Sequence, residues 1–138
     1  MRLYTDYNVG TSIGRALRLV GVEVELHVDR YASGLVPDEK WIAEVTATGL
    51  VILTKDTRIR SRPNERSVFE AVGAKAFVLA TRGASKLVNL RAVLNAWDEM
   101  TAIADMQAAP FMYGIDRHGK LTQYIPPPPR PTGRSDPR

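Results

Sequence analysis

Leu50-Val51-Ile52-Leu53-Thr54-Lys55-Asp56 is a continuous apolar run that ends in a carboxylate. It shows no polar alternation, as expected of a strand buried on both faces of a parallel sheet. Asp56 falls where the chain leaves that sheet. Upstream, Leu3-Tyr4-Thr5-Asp6 repeats the arrangement on a shorter scale, an early strand followed by an acid. Between the two, Pro37-Asp38-Glu39 opens an apolar helical segment with two acids in its first turn. In open α/β folds, ligands bind beyond the carboxyl ends of the strands. Carboxylates gathered at that edge suit a hard divalent cation.

The remaining pattern alternates in the same way. Thr11 or Ser12 can cap a helix reaching Val20, and Gly21 stops it. Val22–Val28 alternates at period two, which predicts a half-buried strand near a sheet edge with Glu23, Glu25 and His27 on its polar face. Residues 29–37 read as a loop, and the helix opened by Asp38 runs to Gly49 with Trp41, Ile42, Val45 and Thr48 on one face. A basic loop spans 57–64, then a helix Glu65–Val72 capped by Asn64, then a buried strand Ala76–Ala80. Ser85 caps a long helix to about Gln107, with Leu87, Leu90, Leu94, Trp97 and Met100-Thr101 along its expected apolar stripe. Strand and helix thus alternate four times, which predicts a parallel sheet. Phe111–Ile115 and Leu121–Ile125 flank the turn Asp116-Arg117-His118-Gly119-Lys120 and predict a terminal hairpin. The expected domain covers residues 1–125; residues 126–138, with their proline run, form a polyproline-type tail without a core.

Composition narrows the classes. The 138 residues fit one domain, with 44% hydrophobic and 25% charged residues. Cysteine is absent, which excludes disulfides and thiolate metal sites and agrees with a cytoplasmic setting. No apolar run approaches the ~20 residues of a membrane span. The formal charge of +4 favours an anionic partner. No phosphate-binding glycine loop or nucleophile elbow is present.

Around Asp56 the cations Lys55, Arg58, Arg60, Arg62 and Arg66 are opposed only by Asp56 and Glu65. Arginine suits phosphate recognition. Arg58, Arg60 and Arg62 recur at every second position, so an extended loop would align all three along one phosphate track. A solvated loop accounts for the same residues. Other candidates also have a plainer structural reading: Asn8 can cap or turn, Asp38-Glu39 favours a helix dipole, and Asp56 can make an Asx turn. His27 and His118 lack a second metal-type neighbour.

Several of these segments resemble a known family in order and spacing. Asp6-Tyr7-Asn8 is similar to the Asp-Glu-Asn start of short PIN-like ribonuclease domains. Gly14–Gly21, Pro37–Ala43 and Leu53–Arg60 resemble the helix and two acidic segments that follow in that family. The resemblance covers roughly residues 1–80. It implies a three-layer α/β/α sandwich and an endoribonuclease dependent on Mg²⁺ or Mn²⁺. It often implies the toxin half of a VapC-type toxin–antitoxin pair with a cognate antitoxin protein; the expected substrate is single-stranded RNA, since loops and ends expose bases, and a homodimer is a further expected partner. By position, Asp6, Asp38 or Glu39, and Asp56 would be the metal-ligand and catalytic acids. In the mechanism these residues suggest, Asn8 would orient an acid or water, and Arg58, Arg60 and Arg62 would grip RNA. Tyr7 departs from the acidic residue of the family's first motif, and the sequence singles out no fourth acid. Asp98, Glu99 and Asp105 fall in the long helix as surface residues. Two other readings stay open. A receiver-type phosphoacceptor domain would use Asp6, Asp56 and Thr81. A catalytically silent PIN-like protein would use the fold as a binding surface.

Overall fold

The computed structural model describes residues 1–32 and 35–126. Its strands are β1 (Leu3–Thr5), β2 (Val24–Leu26), β3 (Val51–Thr54), β4 (Lys75–Leu79), β5 (Phe111–Ile115) and β6 (Leu121–Ile125). The helices are α1 (Ser12–Leu19), α2 (His27–Arg30), α3 (Asp38–Ala47), α4 (Pro63–Ala71) and α5 (Lys86–Met106). They build one six-stranded sheet in the order β2-β1-β3-β4-β5-β6. Every pairing is parallel except β5 with β6, the expected hairpin.

Alternate residues of each central strand feed opposite cores. Leu3, Val51, Leu53, Phe77, Leu79, Phe111 and Ile115 pack with α1 and α5. Tyr4, Ile52, Ala76, Val78 and Met112 pack with Trp41, Ile42 and Val45 of α3 and Phe69 of α4. The chain is therefore an α/β/α sandwich with a mainly parallel sheet. All four residues of β3 are buried, which is why its sequence carries no alternation. The proline-rich segment 127–138 lies outside the described residues.

Three local expectations are corrected. Val22–Val28 does not run on as one strand: β2 stops at Leu26 and the chain turns into α2. The Leu26 N–H donates to Asp29 Oδ2 at 2.9 Å, and Arg18 pairs with the same carboxylate, so the acid that looked like loop polarity ends the strand. His27 consequently lies buried, with Tyr4 Oη 2.6 Å from its Nδ1. In α5 the buried side is Asn89, Ala92, Val93, Ala96, Met100 and Ala104, whereas Leu87 and Leu94 are exposed. Small residues let the helix approach the sheet closely and turn Leu87 and Leu94 outward, while Leu90 and Trp97 of the expected stripe pack partly against the core and Met100 is buried in it. The segment after Asp56 is a series of turns, not an extended loop: Ser61 and Arg62 N–H groups both donate to the Arg58 carbonyl at 3.0 Å, and Ile59 is buried.

Candidate active site

The strand order reverses direction between β1 and β3, which makes their carboxyl ends the expected ligand crevice. Asp6 leaves β1 and Asp56 leaves β3 at this point. The register sets Thr5 opposite Leu53, and the Asp6 N–H donates to the Leu53 carbonyl at 3.0 Å. One polar network ties the two exits together. The Thr54 hydroxyl, fully buried, donates to Asp6 Oδ2 at 2.8 Å and lies 3.3 Å from Asn8 Oδ1. The Lys55 N–H donates to Asn8 Oδ1 at 3.1 Å, and the Asp56 N–H to Thr54 Oγ1 at 3.0 Å. Asn8 thus braces the backbone that carries Asp56.

The other side of the crevice is formed by helix starts. Asp38 is the first residue of α3, and the Trp41 indole N–H donates to its Oδ1 at 2.8 Å. Trp41 in turn stacks on Tyr4, with ring centroids 5.5 Å apart. Asp6, Asp38 and Asp56 line one small pocket of about 160 Å³ with Asn8, His27 and Trp41. Glu39 is exposed and does not line it. The structure therefore brings together four of the sequence candidates, Asp6, Asn8, Asp38 and Asp56, and leaves Glu39 outside.

A fourth carboxylate joins from α4. Pro63 occupies the first turn of that helix and Glu65 follows it, with its side chain mostly covered. Between the acids sits Arg62. Its Nη1 is 3.2 Å from Glu65 Oε2 and 3.6 Å from both Asp38 Oδ2 and Asp56 Oδ2. Glu65 was legible in the sequence only as a helix-start acid. The signal that could have found it is the run Arg62-Pro63-Asn64-Glu65, which starts a helix just after the Asp56 loop.

Crowding marks the electrostatics. Burial pushes the Asp6 carboxyl above its ordinary range; its bonds to Thr54 and the Tyr7 N–H pull the other way, and the Asp38 charge adds to the rise. Asp38 is also raised, first by burial, then by Asp56 and Glu65, while the Trp41 N–H and Arg62 offset part of it. His27 contributes a further polar atom: its Nε2 is buried and has no partner.

The three arginines expected on one track go separate ways. Arg58 reaches back to Asp56 Oδ1 at 3.4 Å, Arg60 lies 3.9 Å over the Tyr124 ring, and Arg62 is among the acids. Turns, not alternation, decide their directions. Asp98, Glu99 and Asp105 are exposed on α5, away from the pocket lining.

Oxygen donors of this kind suit a hard divalent cation in chemistry: Asp6, Asp38 and Asp56 line the crevice, and Arg62 sits between Asp38, Asp56 and Glu65. In the arrangement described, no three His, Cys, Asp or Glu side chains among the described residues are grouped tightly enough to hold a metal ion. Arg62 takes the countercharge position instead.

With this geometry in view, comparison with known families is decisive for class. A profile of the PIN-like domain matches residues 1–81, more than half of the chain, and covers β1 through the end of β4. The chain belongs to the PIN-like domain family, whose members are generally nucleases. No curated protein and no solved structure matches it. The membership sets aside the receiver reading, and the site agrees: Thr81 is buried with its hydroxyl on Asn89, and Asp116, not a lysine, follows β5. Among the described residues no helix is long and apolar enough to cross a membrane.

Proposed function

We propose that the chain is a Mg²⁺- or Mn²⁺-dependent endoribonuclease that cleaves single-stranded RNA at the crevice between β1 and β3. The observation that carries this reading is the arrival of Asp6, Asp38, Asp56 and Glu65 at one edge from four different elements. Asp6, Asp38 and Asp56 would hold the ion, with Glu65 beside them. A divalent ion there would supply Lewis acidity toward a phosphate oxygen and ease deprotonation of water. The protein's own groups do the positioning. Thr54 and Asn8 fix the two strand exits, Trp41 orients Asp38, and Arg62 limits repulsion among the acids. Arg58 is exposed beside Asp56 and is the cation of its loop best placed to meet an incoming phosphate. The sequence resemblance supports a toxin role with a cognate antitoxin partner, which co-expression with a neighbouring small gene tests through relief of growth arrest.

Cleavage of a labelled single-stranded RNA, with and without EDTA, tests the activity. Wild type should cut only with Mg²⁺ or Mn²⁺, and Asp6→Asn or Asp56→Asn should abolish cutting while leaving the folded spectrum intact. Cutting that survives both substitutions overturns the assignment. A second reading, a silent PIN-like binding protein, is favoured by the position of Arg62 among the acids. It requires that wild type bind no Mn²⁺ in a direct titration.

A further inference from the structure

Next to the acid crevice, one strand further along the sheet, lies a roomier cleft of about 630 Å³ at the carboxyl ends of β3 and β4. Its size falls in the ~300–1,000 Å³ range of ligand sites. Lys55, Thr57, Arg58, Thr81 and Arg82 line it, and among the described residues no carboxylate does. Lys55 and Arg82 make no ion pair with any described acid, unlike Arg62 and Arg66. Thr81 has its hydroxyl committed to Asn89, so it shapes the cleft floor. The 21-residue helix α5 begins four residues after Arg82, and its amino-terminal end adds positive potential on the same side.

Cleft and crevice share a wall. Lys55 faces one and its neighbour Asp56 the other, with the Arg58 guanidinium 3.4 Å from the Asp56 carboxylate. The β1–β3 seam and the β3–β4 seam are one strand apart, about 4.8 Å. That step is of the same order as the spacing of neighbouring phosphates on one strand. An RNA with one phosphate on the acids therefore carries its next phosphates over this cleft.

We propose that the cleft between the ends of β3 and β4 seats a phosphodiester flanking the scissile one, with Lys55 and Arg82 as its cationic ligands and Thr57 as a hydroxyl donor. The proposal rests on the nuclease reading for the scissile position, but its binding test does not need cleavage. It replaces the expected Arg58-Arg60-Arg62 track with a site assembled from two loops that are distant in sequence.

The experiment measures binding of a fluorescent eight-nucleotide oligouridylate to the full chain across a salt series, in EDTA to suppress cutting. Lys55→Gln/Arg82→Gln should weaken binding at least about tenfold at low salt. The slope of log affinity against log salt should fall by about 1.4, two contacts at ~0.7 each for a single strand. Arg82→Gln alone should lower it by about half as much. A matched double variant in the β5–β6 turn, Arg117→Gln/Lys120→Gln, removes the same charge elsewhere and should leave the slope unchanged. Inorganic phosphate and uridine monophosphate should compete only weakly, because a flanking seat needs a chain that spans both sites. An equal loss in both double variants would reduce the effect to net charge, and full competition by the mononucleotide would make the cleft an isolated phosphate pocket; either overturns the proposal. Unchanged RNA binding in Lys55→Gln/Arg82→Gln, alongside cutting that Asp56→Asn abolishes, would sink the cleft and leave the nuclease standing. Weakened binding without any cutting by wild type would do the reverse.

Discussion

Removing Arg62 is the sharpest probe of the site, because one side chain is shared by three acids. Its Nη1 lies 3.2 Å from Glu65 and 3.6 Å from Asp38 and Asp56. Even at the dielectric of water, each such pair is worth ~1 kcal/mol, so the gross attraction is about 3 kcal/mol. Against this stand the partial desolvation of the guanidinium and the ordering of a long side chain, which together offset about 1 kcal/mol. The participating side chains are 10–35% exposed, too covered for the near-zero value of surface pairs. Arg62→Met keeps most of the aliphatic stem and should cost about 2 kcal/mol in metal-free buffer. At about 4 °C per kcal/mol for a chain of this size, the melting temperature should fall by about 8 °C. Manganese should then stabilise the variant more than wild type, since an ion bound only by the native state raises stability through mass action and no longer competes with Arg62. Thermal melts in EDTA and in a manganese series measure both effects. A variant that melts with wild type in EDTA, or that gains no more from manganese than wild type does, refutes the idea that Arg62 is the countercharge of the acid cluster.

Asp6→Asn tests the buried acid. Burial raises the Asp6 pKa in the folded state, so ionisation costs stability as pH climbs from the ordinary carboxylate value of ~3.9, and the cost is complete above the raised folded value. The variant should therefore melt higher than wild type near neutral pH without metal, with the difference vanishing below about pH 3.9; a constant offset across pH would disprove it. Glu65→Gln should weaken manganese binding at least about tenfold in a direct titration while lowering stability by no more than about 1 kcal/mol, since the lost Arg62 pair is partly offset by relieved repulsion with Asp38. An unchanged titration would return Glu65 to a purely helical role. Gly14→Ala tests the packing behind the site. A Cβ there would lie 2.3 Å from Leu26 Cδ2 and 3.2 Å from Thr5 Oγ1, so the close seat of α1 on β1 and β2 should be lost at about 1–3 kcal/mol in a denaturant melt.

The sequence carried the fold where burial leaves a simple pattern. Val51–Thr54 is buried on both sides and reads as an uninterrupted apolar run. The Phe111–Ile125 hairpin announces itself by two short strand-like segments on either side of the turn signal Asp116–Lys120. Legibility failed where a side chain overrides the backbone pattern. Asp29 captures the Leu26 N–H and ends β2, an event that depends on one carboxylate and not on periodicity. In α5 the largest apolar residues were the natural choice for the core, yet Ala92, Ala96 and Ala104 face it because close helix–sheet contact selects small residues. The candidate site divides along the same line. Asp6, Asp38 and Asp56 stand at element boundaries that a one-dimensional reading can find. The convergence of Arg62 and Glu65 on them depends on the tight turns between Thr57 and Ser61. Those turns are set by buried Ile59, whose apolar character looks incidental in a basic loop.

The polarity of the fold explains how four acids can crowd one edge without unfolding it. In a parallel sheet wound by helices, strand carboxyl ends and helix amino ends face the same side. Asp6 and Asp56 follow β1 and β3, while Asp38 and Glu65 open α3 and α4. The two acids that start helices therefore sit against the positive ends of those helices' dipoles, each a favourable contact of ~0.3–1 kcal/mol. Arg62, the residue just before α4, adds a full positive charge from the same helix start that delivers Glu65. Fixed dipoles and an internal arginine are thus enough to hold the acids together, so folding need not wait for a cation. It follows that folding here should not depend on the ion, which would add stability only by mass action, so wild type should stay folded in EDTA. A wild-type chain that unfolds on chelation would show that the dipoles and Arg62 are too weak and that the ion itself is the structural countercharge.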